Sequence, residues 1–307
     1  MTAVRYAVRH ETLYRYGRRV AHSHQQLHLT PRNSSRQRCL EHCIQIAPQP
    51  SVRSEHVDAF GNCVTQVELD RPHDELDVIA DMEVSLEVLP EVPEDEGQSW
   101  ESVREELCYQ AHAREESWLE AMRFRNESPF VRIKRLFSDF ARECLEPGAT
   151  VLQVAGGLML KVNQEFTYAP GETEIATPLL EVLQKRRGVC QDYAHLMIAC
   201  LRSAGLAARY VSGYLHTGAA PSGSETAAQP LLGADASHAW VAVFAPPFGW
   251  VEFDPTNNMR VQQEHVALAW GRDFGDVSPL RGVILGGGSH TLEVRVAVHA
   301  LAAPEPV

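Results

Sequence analysis

Along the first ninety residues the apolar positions recur with a period of two. Arg5-Tyr-Ala-Val-Arg-His-Glu-Thr-Leu-Tyr-Arg-Tyr16 is rich in β-branched and aromatic residues and predicts a strand, with Gly17 as the turn residue after it. Gln25–Leu29 predicts a strand ending at Thr30-Pro31, Cys39–Ile46 one ending before Pro48 and Pro50, and Met82–Val88 another. Asp58-Ala-Phe-Gly-Asn62 is a turn signal between two such runs. Short antiparallel strands broken in this way predict an N-terminal β-sandwich or half-barrel over residues 1–90.

Beyond Leu89 the pattern changes. Two prolines and a cluster of Glu and Asp lead into an acidic connector, residues 91–128. Phe130, Ile133, Leu136, Phe137, Phe140, Ala141 and Cys144 then recur at helical spacing after a Ser128-Pro129 start. Thr150 with Gln153 predicts a capping box for a second helix. Thr177-Pro178 opens a third that stops at Gly188, and Cys190–Ala204 forms a fourth closed by Gly205. Strands follow at Ala207–Leu215, His238–Phe244 and Trp250–Asp254, with a Gly-, Ala-, Ser- and Pro-rich loop, His216–Ser237, between the first two. Residues 129–281 thus form a helix-then-strand α+β unit. Gly282–Gly288 and the alternating run Thr291–Val298 (together 282–299) are expected to complete the first sheet.

Composition narrows the classes. A hydrophobic share of 44% and a charged share of 22% are those of a globular domain, which excludes a disordered chain or a fibre. The net charge of −12 argues against nucleic acid or an anionic membrane as the main partner. That charge is local: residues 1–40 carry a net +7 and residues 81–120 a net −11. The arginines of the first segment alternate with Tyr and Val, as on the solvated face of a sheet rather than a nucleic-acid stripe. No apolar run reaches the roughly 18 residues of a membrane span, and Met1–His10 shows no signal-peptide core. Seven cysteines at irregular spacing predict reduced thiols and a cytoplasmic protein.

The chemistry concentrates around one of those cysteines. Cys190 stands at the first turn of its helix, where unpaired N–H groups and the helix dipole favour a thiolate. Ser237–Phe244 and Trp250–Thr256 read as a hairpin around Ala245-Pro-Pro-Phe-Gly249. If Phe244 faces Trp250, then His238 and Asp254 share a face as diagonal neighbours; a slip of one residue would separate them. A thiol, an imidazole and an orienting carboxylate are the parts of a nucleophilic triad. The backbone N–H of Cys190 supplies one oxyanion donor, with Gln164 and Tyr168 as candidates for a second.

These residues carry a resemblance. Gly188-Val-Cys-Gln-Asp-Tyr-Ala-His195, Ala208-Arg-Tyr-Val-Ser-Gly-Tyr214, Ala236-Ser-His-Ala-Trp240 and Gly249-Trp-Val-Glu-Phe-Asp-Pro-Thr256 resemble the core of the transglutaminase-like superfamily, in its bacterial cysteine-peptidase branch. His10–Tyr16 and Asp58–Asn62 resemble the N-terminal β-domain of that branch, and Gly271–Pro279 its C-terminal signature. The resemblance implies a papain-like core with Cys190, His238 and Asp254 as triad. It also suggests a functional link to ATP-grasp-type peptide ligases. The expected activity is hydrolysis of a peptide or protein amide through an acyl-thioester. Transfer of the acyl group to an amine is the alternative, and a non-catalytic peptide-binding module the second. No cofactor and no metal are expected.

Other features have plainer readings. Asp192 and His195 fit helix capping and a buried core histidine. Cys39, His42, Cys43 and Cys63 lack the paired spacing of a zinc site. Cys108, Cys144 and Cys200 fall on helical apolar positions and read as core. Arg186-Arg187 complements a helix C-terminus, and only the resemblance suggests Arg272 and Asp273 as cleft residues.

Overall fold

In the computed structural model, residues 3–108, 115–218, 231–232 and 237–302 are described. Alternation in the N-terminal region produces five strands: β1 (Val4–Leu27), β2 (Gln37–Ala47), β3 (Val52–Val57), β4 (Cys63–Leu69) and β5 (His73–Leu86). Strand β5 shows the pattern most cleanly, burying Leu76, Val78, Ala80, Met82, Val84 and Leu86 at every second position. The expected turn at Gly17 does not form. β1 runs on through it, because the Gly17 N–H donates to Ser289 O at 2.7 Å and its bare Cα lets that chain approach. An added Cβ would stand 2.7 Å from Ser289 Oγ.

In place of two separate sheets stands one seven-stranded antiparallel sheet, ordered β2-β5-β1-β4-β3. Its last members come from the far end of the chain: β13 (Leu280–Gly286) pairs with Val20–Leu27 of β1, and β14 (His290–Leu301) with Arg5–Tyr16. The expected completion by residues 282–299 is therefore made by two strands.

Residues 91–128 are more than a connector. They hold helices α1 (Trp100–Glu106) and α2 (Glu116–Met122), and Val103, Leu107, Ala121 and Phe124 are buried in the main core. Cys108, expected in the core, is exposed just past α1. The next helix starts later than predicted: α3 spans Arg135–Ala141, followed by a 3₁₀ turn through Cys144. Asp273 Oδ2 takes the Phe130 N–H at 2.9 Å and Glu127 Oε1 the Ile133 N–H at 2.7 Å, holding the chain out of helix. Helix α4 (Val151–Glu165) opens with the expected capping box between Thr150 and Gln153.

The second sheet is antiparallel, ordered β11-β10-β9-β8-β12, from β8 (Ala208–Leu215), β9 (His238–Phe244), β10 (Trp250–Asp254), β11 (Met259–Arg260) and β12 (His265–Gly271). Helix α6 (Cys190–Ser203) packs on β8 and β9 and is buried along nearly its whole length. Arg202, at its C-terminal end, is buried too and donates to the carbonyls of Phe124, Asn126, Ala208 and Arg272, tying the helix to three segments. The two sheets meet through polar contacts: Tyr214 Oη with His10 Nδ1 at 2.9 Å, and Gln37 Nε2 donating to Ala267 O at 2.7 Å. No helix among the described residues is long and apolar enough to cross a membrane.

Candidate active site

The chain approaches Cys190 through a short, strongly constrained segment. Helix α5 (Leu179–Lys185) ends at Arg186, whose left-handed φ of 55° stops the helix two residues before the predicted Gly188. Arg187-Gly188 (β7) then pairs in parallel with Thr167-Tyr168 (β6). Asp192 folds back so that its Oδ2 accepts from the Val189 N–H at 2.9 Å and from the Thr173 hydroxyl at 2.7 Å. That cap requires a glycine at 188, since an added Cβ would lie 2.6 Å from the same oxygen. Cys190 follows as the first residue of α6, one of the positions whose N–H has no acceptor within the helix.

The imidazole and the carboxylate come from the hairpin. Phe244 pairs with Trp250 and Val241 with Phe253, the register that places His238 and Asp254 on one face. The Ala245 N–H closes the turn on Gly249 O at 2.7 Å, with Gly249 at φ 76°. His238 Nε2 lies 2.8 Å from Asp254 Oδ2, and both side chains are inaccessible to solvent. Asp254 Oδ1 accepts from the backbone N–H groups of Thr256 (2.9 Å) and Asn257 (3.2 Å), and Oδ2 accepts from Asn257 Nδ2 at 2.8 Å. The carboxylate cannot turn without breaking several of these bonds.

The electrostatics follow from that arrangement. Burial alone would lower the His238 pKa, but the charge and hydrogen bond of Asp254, with a further contribution from Cys190, push it up to about 10. Burial would raise Asp254, yet His238 and His265 hold its carboxyl well below the usual carboxylate range. Among the described residues, Nδ1 of His238 has no hydrogen-bond partner and is the nitrogen left for Cys190. Nε2–H is committed to Asp254, so the proton that His238 gains or loses sits on Nδ1.

A fourth residue belongs to this layer. His265, on β12, places Nε2 3.1 Å from the same Asp254 oxygen and is fully buried, with its ring 5.2 Å from that of Trp240. Burial lowers its pKa despite the carboxylate, so it donates as a neutral ring. Trp240 Nε1 donates to Glu252 Oε2 at 3.0 Å, and Arg36 joins Glu252 Oε2 (3.1 Å) to His265 O (3.1 Å). Gly213 of β8 leaves room for this packing, since an added Cβ would lie 2.5 Å from the Trp240 ring. His238, Asp254 and His265 are also the one set of three among the described residues whose ligand atoms lie within 4.8 Å of each other. Both imidazoles direct Nε2 at the carboxylate, so as arranged those nitrogens are donors and not metal ligands.

The remaining expected positions sort cleanly. The backbone of Tyr168 pairs with Gly188, two residues before Cys190, whereas Gln164 is exposed near the end of α4. His195 accepts the Phe274 N–H at 3.1 Å and stacks on Phe130; burial lowers its pKa to about 3. Arg272 pairs with Asp276, and Asp273 caps the short helix α7 (Phe274–Val277) through the Gly275 N–H. Asp273 also accepts the Phe130 N–H at 2.9 Å. Most of the loop His216–Ser237 lies outside the described residues. The missing signal for His265 was its strand: His-Val-Ala-Leu-Ala-Trp-Gly is an unbroken apolar run in which neither period shows.

Comparisons with known proteins agree with this architecture. Residues 6–85 match the bacterial transglutaminase-like N-terminal region, and residues 138–255 match the transglutaminase-like superfamily. An uncharacterized protein of Mycobacterium tuberculosis is 38% identical over 287 residues, covering 91% of this chain and 87% of that protein. One from Mycobacterium leprae is 32% identical over 300 residues, covering 97% and 99%. A protein-glutamine gamma-glutamyltransferase of Pseudomonas aeruginosa is 29% identical over 184 residues, 54% of this chain but 27% of that enzyme. The crystal structure of a candidate cysteine protease from Cytophaga hutchinsonii superposes with a TM-score of 0.75 at 17% identity, covering 100% of this chain and 93% of that one. Its likeness extends over both sheets. The chain belongs to the transglutaminase-like superfamily, with the papain-like core and the N-terminal β region of its bacterial members.

Proposed function

We propose that this protein is a cysteine-dependent amide hydrolase in which Cys190, His238 and Asp254 form the catalytic triad. The observation that carries the reading is the buried His238 ring, fixed by Asp254 at one nitrogen and free at the other beside Cys190. His238 Nδ1 takes the thiol proton, and Cys190 Sγ attacks the amide carbon. The Cys190 backbone N–H supports the oxyanion. On collapse, the leaving amine receives the proton from His238 and an acyl-thioester remains. Water, deprotonated by the same ring, then releases the acid and restores the thiol.

Transfer of the acyl group to an amine is a second reading, favoured by the partial match to the Pseudomonas gamma-glutamyltransferase. One experiment addresses both. A casein substrate is incubated with the protein and a fluorescent primary amine, with Cys190→Ser as control. Hydrolysis releases ammonia or new α-amino groups without labelling the substrate, and transamidation labels it. If the wild-type protein yields neither product above the Cys190→Ser control, across a panel of protein and peptide substrates, the catalytic reading fails.

A further inference from the structure

Beside the second sheet lies a cavity of about 870 Å³ that this chemistry does not use, lined by none of Cys190, His238 and Asp254. Its size is that of sites for small organic ligands, roughly 300–1,000 Å³. Its walls come from strands β8, β10 and β12, from residues 34–36 ahead of β2, from residues 89–94 after β5 and from Glu120 of α2. Arg209 of β8 contributes a guanidinium from a side chain that is only 5% exposed. Its Cζ lies 4.2 Å from the ring centre of Trp250 and 3.7 Å from that of Trp270. Nη1 donates to Glu120 Oε1 at 3.2 Å, and that carboxylate is 39% exposed.

Four polar atoms of the lining residues are buried without a hydrogen-bond partner among the described residues: Arg209 Nε, Trp250 Nε1, Trp270 Nε1 and Arg260 Nη2. All four are donors, and no buried acceptor of the lining is in that state. A buried N–H left unpaired is costly. Indole and guanidinium nitrogens can only donate, so the group that complements them is an acceptor. Arg36, the third guanidinium of the lining, is by contrast committed to Glu252 Oε2 and to the carbonyls of Gln262 and His265.

Charge narrows the class of acceptor. Burial lowers the Arg209 pKa to about 9, which leaves it positive at neutral pH. Four carboxylates line the cavity against three guanidiniums, so a polyanion such as a nucleotide phosphate would be repelled, whereas a single negative charge beside Arg209 is not. A guanidinium held against aromatic rings presents the planar fork that matches a carboxylate. We propose that this cavity binds a monocarboxylate with an apolar or aromatic body. Its carboxylate takes the place of Glu120 on Arg209, and its body packs on the apolar lining that includes Phe248, Val251 and Val261. The site is independent of the Cys190 chemistry.

The test uses a panel of aliphatic, arylalkyl and N-acetyl amino-acid monocarboxylates, each beside its neutral amide. Binding to the whole protein is detected by saturation-transfer NMR and the affinity measured by calorimetry. At least one acid is expected to bind, with its amide weaker by about tenfold or more, the worth of a hydrogen bond to a charged group. Glu120→Gln removes the carboxylate that competes for Arg209, and the acid is expected to bind about threefold more tightly. Trp270→Phe keeps a ring but loses an N–H, and the affinity is expected to fall about threefold. A gain of affinity on Glu120→Gln is not what loss of a merely structural ion pair would give. Matching circular dichroism melts establish that the variants are folded. If no acid binds, if acids and amides bind alike, or if either substitution leaves the affinity unchanged, the proposal is overturned.

Discussion

Replacing Asp254 with Asn tests the proposed triad most directly, because the substitution keeps the shape and turns Oδ2, the acceptor for His238, His265 and Asn257, into a donor. Oδ1 accepts from the backbone N–H groups of Thr256 and Asn257, so the amide oxygen of an asparagine has to remain there. Its NH₂ then occupies the place of Oδ2 and points at His238 Nε2, now 2.8 Å from a donor instead of an acceptor. The ring answers by moving its proton to Nδ1, the nitrogen left for Cys190, and no longer has a lone pair for the thiol. The same reversal of tautomer costs roughly four orders of magnitude in turnover in a serine protease triad, about 5.4 kcal/mol. A substrate-free assay reads the same change. The rate of Cys190 carboxymethylation by iodoacetamide is followed by peptide mass spectrometry between about pH 5 and 9. An ordinary free cysteine is only ~0.3% thiolate at pH 6, so alkylation of the variant at that pH is expected to fall at least ~100-fold below wild type. The two rates should converge toward pH 9. A folded Asp254→Asn protein alkylated within threefold of wild type at pH 6 would refute the reasoning.

Three further outcomes follow from the same geometry. His265→Phe removes a hydrogen bond to a charged group, typically worth about 1.5–3 kcal/mol; kcat should fall roughly ten- to a hundredfold with KM unchanged, and His265→Gln, which keeps a donor, should recover part of it. His238 binds its proton more tightly when folded, at about 10 against about 6.5 for an ordinary imidazole. Its contribution to stability is therefore complete below about pH 6.5 and lost as pH rises toward 10. Urea midpoints of wild type and Asp254→Asn should draw together over that interval, and a constant gap would count against a charged His238. Gly213→Ala puts a Cβ 2.0 Å from Val266 O and 2.5 Å from the Trp240 ring; a loss of about 1–3 kcal/mol in denaturant unfolding is expected.

The hairpin was the most legible part of the site. The sequence left its register conditional; the chain adopts the one that pairs Phe244 with Trp250, and with a period of two that register decides where His238 and Asp254 point. The helix behind Cys190 was equally plain, from a glycine at 188 to one at 205. What sequence could not supply were effects of distant partners. Phe130 and Ile133 have helical spacing but lose their N–H groups to Asp273 and Glu127, so α3 starts five residues late. Gly17 looks like a turn and serves instead as a place where residue 289 passes close. His265 lies on a strand whose apolar run has no period, and it reaches Asp254 only because Gly213 and Trp240 shape the space between. In each case a tertiary contact overrides a local pattern, whether from far along the chain or, for Glu127 and Ile133, from six residues away.

The pairing of β1 with both β13 and β14 has a bearing on how the chain is made. The first strand leaves the ribosome about 250 to 300 residues before the partners for its second edge. Until then Val4–Leu27 offers a long row of unpaired backbone groups to any passing strand. Late closure of so distant a pairing slows folding and lengthens that exposure. A fragment ending near residue 90 would carry the open edge permanently and would be expected to associate with itself. The arginines of this strand, Arg5, Arg9, Arg15, Arg18 and Arg19, oppose such association over the part that waits for β14.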